Sequence, residues 1–107
     1  MMIRLRELAV VLVMSVVLAP GAAGAQEAAE GRALAEQWCA SCHAIAPGRA
    51  GTEAAPPFEA IVQERGRADE WIATWLSTPH QMMPDLNLTR SEIAALVAYF
   101  DSLRPAD

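Results

Sequence analysis

Cys39-Ala40-Ser41-Cys42-His43 holds the only two cysteines of the chain and one of its two histidines. Two thiols three positions apart, followed at once by an imidazole, suit one cofactor: both sulfurs add to the vinyl groups of a single porphyrin and the imidazole reaches its iron. A chain with this stretch is expected to fold around a covalently attached haem, its remaining residues forming pocket and second ligand. A disulfide is the competing use of two cysteines in an oxidising compartment. Thiol–disulfide exchange is a further one, but it lacks a strand–helix context here, and a histidine directly after Cys42 is better explained by haem.

The N-terminus bears on the compartment. Arg4 and Arg6 precede an almost wholly apolar run from Leu8 to Ala19, and Ala23-Gly24-Ala25 offers the small residues of a cleavage site. The run is shorter than the roughly 20 residues of a membrane span and is followed by Pro20 and Gly21. Residues 1–25 are therefore expected to be a cleaved signal peptide that directs residues 26–107 to the periplasm as one small domain. The domain is not expected to span a membrane after cleavage. So short a chain buries little apolar surface by itself, and a haem at its centre supplies the missing core. The whole chain carries a net charge of −5 and no lysine. That balance argues against nucleic acid and favours partners with a basic docking face.

The mature chain reads as all-α, with no alternating strand pattern and no internal repeat. Gln26 to Glu36 predicts a first helix, with Gly31, Leu34, Ala35 and Trp38 along one face. Gly31 lies there either as a close-approach point for another helix or as an ordinary glycine near a terminus. Ala44 to Pro57 is a loop rich in alanine, glycine and proline. Phe58 to Arg65 predicts a short helix ended by Gly66. Asp69 caps a third helix running to about Ser77, with Trp71, Ile72, Trp75 and Leu76 as its apolar stripe. His80 to Leu88 lacks periodicity and reads as a loop. Thr89-Arg90-Ser91-Glu92 matches a capping box, opening a last helix with Ile93, Leu96, Val97, Phe100 and Leu103 on one face.

His43 is the first axial ligand, and a ligating imidazole is best held when its other nitrogen donates to a carbonyl. The carbonyl of Pro56 is the candidate acceptor, unless Pro56 and Pro57 merely stiffen the loop. The second axial position has His80, Met82 and Met83 as candidates, or stays open. In an extended segment Met82 and Met83 point to opposite sides, so only one of them faces the iron. A methionine in a proline-flanked loop, away from any helical stripe, suits ligation better than core filling. Trp71 and Trp75 are candidate haem neighbours, at least one of them being expected as plain core packing. Arg49, Arg65 and Arg67 receive no role.

Taken together, Cys39 to His43, Ala55-Pro56-Pro57-Phe58, Met83-Pro84 and the closing helix with Tyr99 resemble a class I c-type cytochrome of the small bacterial periplasmic kind. The resemblance runs from about residue 28 to 104. It implies the cytochrome c fold, three to four short helices around one covalently bound haem c. It also implies that Met83, immediately before the proline, is the axial ligand, that the Pro56 carbonyl accepts from His43, and that Phe58 packs against the ring. Gly31 then marks the crossing of first and last helices, with Leu96 and Tyr99 opposite. Ala35 stands where relatives commonly have an aromatic residue, and the absence of lysine sets this chain apart from relatives with a lysine ring at the haem edge.

The expected function is the transfer of single electrons between redox partner proteins: an oxidase, a cytochrome bc complex, or a periplasmic dehydrogenase whose accepting subunit this chain would be. No catalysis of its own is expected. The alternative is a haem enzyme, or a gas- or peroxide-binding protein, with a labile or open sixth position and His80 as its distal acid–base group.

Overall fold

The computed structural model describes residues 22–64, 69–78 and 82–105. They form four helices and no strand: α1 Ala22–Trp38, α2 Phe58–Gln63, α3 Asp69–Ser77 and α4 Arg90–Ser102. The all-α expectation holds. The first helix is longer than its pattern suggested: it starts at Ala22 and includes the small-residue segment Ala23-Gly24-Ala25. Residues 1–21, with the charged and apolar parts of the expected signal peptide, lie outside the described residues, as do Arg65, Gly66, Arg67, Pro79 and His80. No helix among the described residues is long and apolar enough to cross a membrane.

The framework is the crossing of α1 and α4, the most extensive helix pair in the fold. Gly31 makes it possible. A Cβ at this position would run into the carbonyl of Ala95 and come within 2.8 Å of Tyr99 Cβ. The first helix thus gives up about 1 kcal/mol of helix propensity at Gly31 and gains backbone-to-backbone packing. The residue opposite is Ala95 rather than the expected Leu96, which instead turns into the core at 1% exposure. Tyr99 lies opposite as expected.

The core joins Ala35 and Cys39 of the first segment to Phe58 and Val62 of α2, Ile72 of α3, and Leu96, Tyr99 and Phe100 of α4. Ile45, in the stretch read as a featureless loop, is fully buried. The Tyr99 hydroxyl donates to its carbonyl at 2.7 Å, satisfying a polar group that burial would otherwise strand. On α1, Trp38 departs from its expected place. The periodic face it ends is real over Gly31 and Ala35, yet Trp38 itself is 49% exposed, one turn beyond Ala35 at the very end of the helix.

Both ends of α4 are fixed by side chains. Thr89 caps α4, its Oγ1 accepting from the Glu92 amide at 3.2 Å. The Glu92 carboxylate closes the box on the Thr89 hydroxyl at 3.0 Å. At the other end Arg104 donates to Asp101 at 2.8 Å, to Asp69 at 3.5 Å and to the Val62 carbonyl at 3.4 Å. One guanidinium therefore ties the end of α4 to α2 and α3. Asp69 begins α3 and hydrogen-bonds Asp101, which raises its carboxyl above the usual range.

Candidate functional site

The Cys39–His43 motif grows out of the last turn of α1. The amides of Cys39 and Ala40 reach back to the Ala35 carbonyl at 2.9 and 3.0 Å, and those of Cys42 and His43 to the Cys39 carbonyl at 3.2 and 2.9 Å. Helical curvature at i, i+3 and i+4 gathers both thiols and the imidazole on one side. The two cysteines are not bridged to each other; Cys39 is buried and Cys42 exposed. Burial pushes the Cys39 thiol up to about 11.

Cys39, Cys42 and His43 border a cavity of about 340 Å³, and Met83 and Pro84, from the loop before α4, border the same cavity. Native interiors leave few voids larger than a water molecule. An apolar cavity of this size is a binding site, within the range of small-molecule and cofactor pockets. Phe58, Phe100, Trp71 and Trp75 line it further. The residues fit a flat, apolar macrocycle: two thiols and an imidazole on one peptide turn, aromatic walls, and a thioether from a separate loop.

His43 donates through Nδ1 to the carbonyl oxygen of Pro56 at 2.7 Å, as expected. The bond fixes the tautomer and leaves the lone pair on Nε2. Phe58 sets the ring from another direction, with centroids 5.2 Å apart and planes tilted by 59°. Phe58 is 2% exposed and stacks on Phe100 at 4.4 Å, so it anchors the imidazole to the core.

Met82 and Met83 both border the cavity; they differ in burial and backbone, not by strand alternation. Met82 has φ 71°, a left-handed conformation that costs a methionine on the order of 1 kcal/mol, and its side chain is 91% exposed. Met83 is half-buried. Beyond Pro84 an Asx turn, in which Asp85 accepts from the Asn87 amide at 2.9 Å, leads to the cap at Thr89. A methionine carries no sequence signal for positive φ, so the reversal was invisible beforehand. His80, the remaining ligand candidate, lies outside the described residues.

Trp71 and Trp75 stack on each other, centroids 5.1 Å apart and planes within 14°. Neither is the core residue expected of at least one of them, since they are 38% and 45% exposed and Ile72 fills the core beneath. Both are cavity wall. Arg49 pairs with Glu36 at 3.4 Å. Leu96, Leu86 and Ile61 also border the cavity. Leu96 was visible as a periodic core position, whereas nothing in the sequence marked Leu86.

The family model described as "Cytochrome C oxidase, cbb3-type, subunit III" matches residues 26–100. Cytochrome c-552 of Bradyrhizobium diazoefficiens is 39% identical over 95 residues, covering 88% of this chain and 91% of the relative. No solved structure matches the chain. The match across the helices, the Cys39–His43 turn and the Met83 loop places the chain in a known group: it belongs to the class I c-type cytochromes, in the family of that description, and carries covalently bound haem c.

Proposed function

We propose that the chain is an exported, periplasmic one-haem electron carrier whose iron is held between Nε2 of His43 and the sulfur of Met83. Cys39 and Cys42 provide the thioether links. The bound haem supplies a one-electron ferric/ferrous couple. The protein's residues do the rest: Pro56 and Phe58 fix the imidazole, the thioether of Met83 favours the ferrous state and so raises the potential, and the apolar walls exclude water. The observation that supports this reading is the bond from His43 Nδ1 to the Pro56 carbonyl, which leaves the lone pair of Nε2 available to a metal.

Its partners are redox proteins: an oxidase, a cytochrome bc complex, or a periplasmic dehydrogenase to which it would be the electron-accepting subunit. The oxidase is favoured by the cbb3-type description of the matching family. With a net charge of −5 and no lysine, the chain is steered best toward a basic face, through a small, short-lived interface. Intact mass of the exported protein, combined with a potentiometric titration, tests this reading. Expected are a chain beginning at residue 26, heavier by one haem, and a one-electron Nernst curve. A haem-free chain two hydrogens lighter would return the cysteines to a disulfide. Retention of residues 1–25 would make the protein membrane-anchored.

A further inference from the structure

The segment that brings Pro56 to His43 does more than deliver one carbonyl. Thr52 grips the Cys42 carbonyl twice, through its backbone amide at 3.0 Å and its hydroxyl at 3.0 Å. That carbonyl belongs to the peptide leading into His43. Gly51 lies against the peptide leading out: a Cβ there would strike the Ala44 nitrogen and stand 3.0 Å from the His43 carbonyl carbon. The Phe58 amide then takes the Ala44 carbonyl at 3.0 Å.

We propose that Thr52, seated by Gly51, is a positioning residue for the axial histidine: it fixes the peptide from which His43 springs and thereby the rotation of the imidazole plane about its bond to iron. This rests on the reading of His43 as ligand. The Thr52 hydroxyl acts in both directions, donating to Cys42 and accepting from the Ala54 amide at 3.3 Å, so its hydrogen is committed to the carbonyl. Thr52 is exposed and no member of the core, and the loop remains anchored without the hydroxyl through the Thr52 amide, Pro56 and Phe58. The hydroxyl is therefore a restraint on the ligand's backbone more than on the loop. Supporting groups of this kind control the orientation and hold of a metal ligand.

The test uses the holoprotein with Thr52→Val, which keeps shape and amide but loses the hydroxyl, and Thr52→Ser, which restores it. The ferric proton spectrum reports the imidazole plane, because its orientation sets how unpaired spin is shared among the haem methyls. Thr52→Val should redistribute the methyl shifts and increase acid-induced detachment of His43 on the order of fivefold, the equivalent of one ordinary hydrogen bond; Thr52→Ser should return both to the parent values. Parent-like methyl shifts and acid detachment in Thr52→Val, even with a lowered melting temperature, would reduce Thr52 to a loop-stabilising role. Nitrogen hyperfine coupling from a histidine in the unsubstituted protein separates the two levels of failure: its absence overturns the ligand assignment and the clasp together, whereas its presence with an unchanged Thr52→Val spectrum overturns the clasp alone.

Discussion

His43 Nδ1 and the Pro56 carbonyl oxygen lie 2.7 Å apart across thirteen residues of chain, and this bond joins the haem-attachment turn to the loop that wraps it. The acceptor is a main-chain oxygen, so it survives a change of side chain. Pro56→Ala should therefore leave the low-spin spectrum intact while lowering stability by about 0.4–1 kcal/mol, because the unfolded chain regains freedom at that position. Optical spectra and denaturant midpoints of the two proteins check both halves.

The helix crossing depends on the absence of a side chain at Gly31. Alanine there raises helix propensity by about 1 kcal/mol, yet its Cβ meets the Ala95 carbonyl, backbone that gives way only if α4 moves. Gly31→Ala should be net destabilising by about 1–3 kcal/mol, as for overpacked interiors. Thermal unfolding gives the sign directly, and a stabilised variant would show that α1 and α4 are not held in close contact.

Tyr99 links α4 to the loop through Ile45. Tyr99→Phe leaves that carbonyl buried without its partner and should cost about 1–3 kcal/mol at neutral pH. Burial outweighs the nearby Arg32 and Arg49 and raises the phenol above its ordinary value of 10.0. The folded state thus holds the phenolic proton more tightly than the unfolded chain does. The associated stability is fully present below about pH 10 and is lost as pH rises through the folded value. Urea midpoints measured upward from neutrality should show a steeper alkaline decline for the parent than for Tyr99→Phe.

What the sequence disclosed follows the range of each interaction. The Cys39–His43 turn was legible because its geometry is local, set by i, i+3 and i+4 spacing at a helix end. The Thr89 cap was legible for the same reason. Pro56 was accessible as the point where a loop of limited length must return, and the resemblance agreed. Ile45 gave no sign of full burial, since its role depends on a tyrosine far along the chain. Periodicity put Trp38, Trp71 and Trp75 on apolar faces and so suggested core positions, because it does not say whether protein or a cavity lies against such a face. At these three positions it is the cavity. Thr52 and Gly51 looked like ordinary loop residues because the peptides they hold are contacted only after folding.

The second axial ligand decides whether the iron site is of the His/Met kind. The charge-transfer band of a methionine sulfur on ferric haem should be present in the oxidised parent protein, persist in Met82→Ala and His80→Ala, and vanish in Met83→Ala. A band that survives Met83→Ala, or one lost in Met82→Ala instead, would contradict the His43–Met83 iron site.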